Sequence, residues 1–264
     1  KAPKDLPRFT FLEFFKDCKS AMSNRNYLML LFGYLLLSAT LGTRETIGLH
    51  MNTYYWELVP AQIRNFVLMG LAASVVGFIA TARLHDKFEK KPVIISCLAG
   101  LLVCATAPVF LRIFNLFPTN QSDQLLPALM FFYLMQTCFG VILLISAMSA
   151  LADIADEQEL ATGRRQEGVF YAARSFFAKA SSGLGHLLAG IAIDFIDFPV
   201  GSAPGTVPEE TLFQLGLLDG PIAIIPGIIA IGFYLQYNLS RKRHKKIQEE
   251  LINRHEQQVG TTAQ

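Results

Sequence analysis

Six apolar stretches, at 26–51, 65–82, 92–117, 124–152, 169–193 and 212–240, constrain this chain more than any other feature. A helix needs about 20 mainly apolar residues to cross a bilayer. Hydrocarbon cannot satisfy an exposed backbone amide, so such stretches cross as helices. The composition agrees: 52% of residues are hydrophobic and 17% charged, against about a quarter charged in soluble domains. The expected fold is an all-α membrane protein, one bundle of six transmembrane helices spanning 26–240. Residues 1–25 form a preceding segment and 241–264 a basic tail.

Lysine and arginine set the threading. Residues 1–25 carry Lys1, Lys4, Arg8, Lys16, Lys19 and Arg25, and the turn at 83–91 carries Arg83, Lys87, Lys90 and Lys91. A polar loop at 153–168 holds Arg164 and Arg165, and the tail holds Arg241, Lys242, Arg243, Lys245, Lys246 and Arg254. The intervening loops at 56–60, 118–123 and 194–211 have none. Basic residues flank spans on the cytoplasmic side, so both ends of the chain are expected there, in the plasma membrane. Phe11, Phe15, Cys18 and Met22 recur at helical spacing and predict an amphipathic helix on the inner leaflet. Ile247 and Leu251 predict a short solvated helix in the tail. The chain opens Lys1-Ala2-Pro3-Lys4, with neither an initiator Met nor an apolar leader, and reads as a cut within a longer protein.

Charges inside the spans mark function, because a cation in hydrocarbon costs on the order of 3 kcal/mol even on the mildest scales. Lys179 sits in the middle of the fifth stretch, about 10 residues and roughly 15 Å from its inner end. Ser175, Ser182 or Gly183, and His186 share its helical face. That small, polar stripe lines a cavity or packs closely on a neighbouring helix. Arg174 is offset by about 140° and lies nearer the inner surface. Arg44 and Glu45, adjacent in the first span, point to different faces, and one of them is expected to meet the solute path. Tyr54, Tyr55 and Trp56 are expected to form an outer aromatic belt. Gln136 is a lone amide that bonds either solute or a neighbouring helix. Asp219-Gly220-Pro221 and Pro226 are expected to shape and bend the last span.

Two motifs carry a family resemblance. Ala82-Arg83-Leu84-His85-Asp86-Lys87-Phe88-Glu89-Lys90-Lys91 resembles the major-facilitator loop Gly-x-Leu-x-Asp-Arg-x-Gly-Arg-Arg. Asp86 stands at the acid and Lys90 and Lys91 at the basic pair, while Ala82 and Glu89 replace the glycines. Asp153-Ile154-Ala155-Asp156-Glu157, then Arg164-Arg165-Gln166-Glu167-Gly168, Tyr171 and Lys179 resemble the glycoside–pentoside–hexuronide:cation symporters, the melibiose-permease group. The ending Lys246-Ile247-Gln248-Glu249-Glu250-Leu251 is also similar to that family's. The resemblance implies the second half of a major facilitator, helices seven to twelve, built from two inverted three-helix repeats. It implies a cation-coupled carrier working by alternating access, with sodium or a proton as coupling ion. It also places the family's coupling acids and main sugar-binding carboxylates in the first half, which this chain lacks.

The expected solute path therefore comprises Lys179, Ser175, Ser182, Tyr171, Arg44, Glu45 and Gln136. Lys179 is expected to pair with a carboxylate of the missing half. The expected cytoplasmic gate comprises Asp153, Asp156, Arg164, Arg165, Glu167, Arg174, Asp86, Lys90 and Lys91, with Asp153 or Asp156 within ion-pair reach of Arg164 or Arg165. Partners are a small-molecule solute, the bilayer and the missing half, with no nucleic acid. Nothing in the sequence suggests an enzyme: no nucleophile–base spacing, nucleotide loop, metal cluster or cofactor motif is present. The four cysteines lack metal or disulfide spacing. Three readings stay open: a symporter of a sugar or glycoside, a cation-coupled carrier of an amphipathic, lipid-like solute, and a non-transporting membrane subunit.

Overall fold

Asn24 starts the first span, its side chain accepting a hydrogen bond from the Tyr27 amide at 3.1 Å. The computed structural model describes residues 20–163, 167–199 and 201–262. Helix α1 runs Arg25–His50 and continues through a π-helical turn, Met51–Tyr55. Helix α2, Pro60–Lys87, opens on proline, whose missing amide costs nothing at a first position. Then follow α3 (Lys90–Ile113), α4 (Leu125–Thr162) and α5 (Glu167–Phe195). The last span is broken into α6 (Glu209–Leu217), a π-helical turn Leu218–Ile222 and α7 (Ile225–Gln236); α8 (Arg241–Thr262) is the tail. α1 to α5 and the broken last span taken whole, Glu209–Gln236, are each long and apolar enough to cross a membrane, six spans among the described residues. No strand occurs among the described residues.

The helices pair in a pattern that repeats itself. α1 packs along α5 and α4 along α2, while α3 packs on α4 and α7 on α1; α3 also meets α7. Exchanging α1–α3 for α4–α7 maps this pattern onto itself, as two inverted three-helix repeats require. α1 and α4 touch only lightly, so a groove opens between them with α3 as its floor.

Hydrocarbon gives no hydrophobic drive to helix pairing, so close approach and hydrogen bonds do the work. Gly42 of α1 lies against the Ser182 carbonyl, and Gly185 of α5 against the Ala39 carbonyl, leaving no room for a Cβ at either glycine. Ser181 Oγ donates to the Leu35 carbonyl at 2.7 Å, and Tyr27 Oη to the Phe170 carbonyl at 3.2 Å.

Two expectations need correction. The polar loop predicted at 153–168 is helical through Thr162, because Asp153–Thr162 contains neither Gly nor Pro. The helix ends where Gly163 takes φ +72°, a left-handed cap. The tail helix is longer than expected and is solvated on one face only. It spans 22 residues, and Ile247 and Leu251, only 6% and 8% exposed, pack into the same core as Ile154 and Leu151 of α4. Of the predicted helix at 11–22 only 20–22 is described: Ser20 and Ala21 are helical, Ala21 is buried and Met22 exposed, while Phe11, Phe15 and Cys18 lie outside the described residues.

Candidate functional site

Two adjoining cavities occupy the groove between α1 and α4. The larger, about 530 Å3, lies toward the end bearing the loops near 57, 120 and 200; we term it the outer chamber. Arg44, Glu45, Asn52, Gln136 and Asp219 supply its polar groups, and Trp56, Phe66, Phe132 and Tyr133 its aromatic walls. The smaller, about 330 Å3, shares Leu41, Leu101 and Gln136 with it and continues as the inner chamber. Its other walls include Tyr34, Leu37, Val141, Leu143, Leu144 and Tyr234, and no Asp, Glu, His, Lys or Arg among the described residues lines it.

The outer chamber is built on a buried ion pair. Arg44 Nη2 lies 3.2 Å from Asp219 Oδ2, with the side chains 14% and 7% exposed. Nη2 also donates to the Ala105 carbonyl at 2.9 Å, and Nη1 donates to the Asp219 carbonyl. The two carbonyls come from different settings, a π-helical turn and a continuous helix. Asp219 belongs to the π-helical turn that contains Pro221, and Ala105 precedes Pro108 of α3. Proline withholds an amide and loosens the local carbonyl row. Asp219 was expected only to shape the last span, and this role is larger. A lone acid in the sixth apolar stretch, at a depth similar to the lone arginine of the first, was the signal available in the sequence.

Glu45 turns the other way, as adjacency on a helix requires. Its side chain is 78% exposed at the chamber rim, 3.8 Å from His186 Nε2 of α5. His186 Nδ1 lies 2.8 Å from Thr46 Oγ1, and its Nε2 lies 3.3 Å from Ser182 Oγ. The predicted polar stripe of α5 is thus divided. Ser182 and His186 belong to the seam with α1, whereas Ser175 and Lys179 stand exposed beside it. Neither chamber is lined by Lys179, Ser175, Ser182 or Tyr171. Tyr171 donates to the Met148 carbonyl at 3.4 Å and ties α5 to α4. Arg174 lies 3.9 Å over the Tyr34 ring, a cation–π contact behind the inner chamber. Gln136 borders both chambers. Trp56 is buried against Phe117 instead of lying in an outer belt. Asn120 bridges Arg112 and the Tyr55 carbonyl.

At the opposite, basic end, charges gather where α3, α4 and α8 meet. Lys90 Nζ lies 2.6 Å from Asp153 Oδ2 and donates to the Ser149 carbonyl at 3.3 Å. His244 Nε2 lies 2.9 Å from Asp156 Oδ2 and 3.4 Å from Asp153 Oδ1. Arg243 pairs with Glu157 at 2.7 Å, and Glu157 also accepts from Asn26 at 2.9 Å. Arg241 donates to the His85 and Phe88 carbonyls and, through its backbone, to Glu89. Burial, helped by the nearby carboxylates Asp153, Glu157 and Glu89, pushes the Tyr237 phenol up, so it stays neutral. Arg164 and Arg165, the partners expected for Asp153 and Asp156, lie outside the described residues. Asp86 is exposed and Lys91 half-buried, and Glu167 opens α5 at this end. The tail residues Arg243 and His244 were not anticipated here; their spacing from Leu251 on one helix was the only hint.

Sequence comparison gives these features a context. The family described as MFS/sugar transport protein matches residues 1–241. A candidate sulfoquinovose importer of Escherichia coli (strain K12) is 28% identical over 222 residues, covering 81% of this chain and 44% of that protein. A candidate glycoside/cation symporter, YagG, of the same organism is 21% identical over 245 residues, covering 90% of this chain and 49% of that protein. An uncharacterized symporter of Synechocystis sp. is 29% identical over 107 residues, covering 39% of this chain and 20% of that protein. The chain thus spans about half the length of these two Escherichia coli relatives.

Proposed function

The chain belongs to the MFS/sugar transport protein family, and on that premise we propose that it forms the second half of a cation-coupled sugar or glycoside symporter. The observation that carries the reading is the outer chamber. A cavity of about 530 Å3 inside a membrane bundle, with carboxylate, guanidinium and amide groups beside Trp56, suits a polyhydroxylated ring. Hydroxyls bond the polar groups, and the aromatic wall covers the apolar face of the sugar. Relatives named as a glycoside/cation symporter and a sulfoquinovose importer support a sugar-like solute.

Alternating access needs a gate at each end. The Lys90–Asp153–His244–Asp156 network is the inner gate on this half: it closes the basic end while the outer chamber is open, and it parts when the basic end opens. By the distribution of its basic residues that end is cytoplasmic, and the carrier sits in the plasma membrane. Lys179, exposed on α5 beside Ser175 and Gly183, faces the other six-helix half, where a carboxylate meets it and the coupling cation, sodium or a proton, competes with it.

A second reading has one observation in its favour. The inner chamber is apolar and adjoins the polar one across Leu41, Leu101 and Gln136, which fits an amphipathic solute with its head at Asp219 and Gln136. Uptake by vesicles holding the full-length protein separates these ideas. A panel of neutral sugars, alkyl glycosides and lysolipids is offered with and without a sodium or proton gradient. Gradient-driven sugar uptake supports the first reading, and uptake restricted to lipids supports the second. No gradient-dependent uptake of any member ends both.

A further inference from the structure

Arg44 is the only lysine or arginine lining the outer chamber among the described residues, and it is already occupied. Its two terminal nitrogens hold the Asp219 carboxylate, the Asp219 carbonyl and the Ala105 carbonyl. We infer that Asp219 sets the charge selectivity of the chamber: by holding Arg44 in an internal ion pair, it denies the guanidinium to anionic solutes and leaves a site for neutral ones. The inference rests on the outer chamber being the solute site.

A guanidinium presents a planar fork that satisfies one carboxylate or sulfonate well. Here Asp219 takes part of that fork from within the protein. A solute anion would have to displace the Asp219 carboxylate, which would then be buried without compensation, since its Oδ1 has no hydrogen-bond partner even now. Finally, the other charged group in the wall is Glu45, a carboxylate at the rim, which repels anions approaching from that side. The pair is neutral, so Glu45 gives this wall a net negative charge.

Asp219 is held in this role by its segment. The π-helical turn Leu218–Ile222 interrupts the last span, and Gly220 lets the turn approach Val109 of α3. This places carboxylate and carbonyl of one residue on the same guanidinium. Removing the negative charge while keeping the shape should therefore convert a closed pair into an open anion receptor.

The test uses the full-length protein in liposomes, with Cys104, which lines the chamber, left as its only thiol. Binding of methyl α-D-glucoside is compared with binding of D-glucuronate, and Cys104 labelling is timed with anionic and cationic methanethiosulfonates. The unmodified protein should favour the neutral sugar. Asp219→Asn should move both the sugar preference and the labelling ratio toward the anion by about tenfold or more, the scale of one charge-assisted contact. Arg44→Gln, which removes the guanidinium and leaves the Asp219 carboxyl free to take a proton, should move neither toward the anion, and it keeps the test alive should Asp219→Asn fold poorly. Unchanged ratios in Asp219→Asn, or faster anionic labelling in Arg44→Gln, overturn the inference. A protein that binds neither sugar yet shows the labelling shift keeps the electrostatic assignment and defeats the sugar reading instead.

Discussion

Arg44 and Asp219, 175 residues apart in sequence, form a buried ion pair 3.2 Å long between the first and last spans. The pair fastens the two ends of the bundle together beside the outer chamber. Breaking it from the acid side leaves a guanidinium that cannot shed its charge. Asp219→Ala should cost about 3–5 kcal/mol. Arg44→Gln should cost less, since a carboxyl can neutralise by protonation. Replacing both by residues of similar volume, Arg44→Met with Asp219→Leu, should recover most of the loss. Thermal unfolding of the full-length protein in detergent checks the order. Equal losses for the two single variants would show that packing, not charge, dominates.

The seam between α1 and α5 depends on glycine. At Gly185 a side chain would run into the backbone of α1, at the Ala39 carbonyl, which has no freedom to yield. Gly185→Leu should destabilise by about 1–3 kcal/mol or more, whereas Gly190→Leu, facing open space, should be nearly neutral. A matched pair of melting curves distinguishes them.

Asp153 meets both Lys90 and His244 at the basic end. The Asp153 side chain is only 10% exposed and those of Lys90 and His244 26% and 15%, so the loss of its charge is felt strongly enough to tilt a balance between two conformations. Asp153→Asn should leave membrane expression intact and lower uptake, with the basic end more accessible to thiol reagents. Normal uptake would show the network to be incidental.

The tail is part of the folded body. Ile247→Asp should release α8, because a buried aliphatic side chain contributes about 1.5–3 kcal/mol and a carboxylate cannot replace it there. Faster amide exchange through 244–254, with the spans still protected, is the expected outcome. Slow exchange in the variant would mean that the hydrogen bonds of Arg241 and Arg254 suffice.

Lys179→Ala should abolish gradient-driven accumulation while costing little stability, as removing a charge from the membrane offsets lost packing. Accumulation that survives would remove Lys179 from the coupling path.

Apolar runs announce spans in any order of packing, so all six were legible, whereas two inverted three-helix repeats were implied only by the family resemblance and the helix pairing was not legible. The continuation of α4 through Asp156, Glu157 and Glu159 was not, since charged residues at a membrane edge look alike whether coiled or helical. Asp219 was hidden by its neighbours: beside Gly220 and Pro221 it reads as a helix breaker, and only the fold brings it to Arg44. Glu45 and Gln136 stood out in the sequence because a polar group in an apolar run has few excuses, and both border the outer chamber. Ser182 shares a helical face with Lys179 by count, but the close approach of Gly42 claims it for packing.

The length of α4 has a mechanical consequence. At 38 residues it is about 57 Å long, and its overhang is clamped along α8 by His244 and Arg254. A rod of that length turns small rotations into large displacements at its tip. A tilt of about 10° around its midpoint would carry Thr162 and the docked tail roughly 5 Å sideways at 1.5 Å rise per residue. The far end of α8 thus acts as a pointer on a dial, and a fluorophore or spin label placed there would read motions of the groove wall without touching the groove.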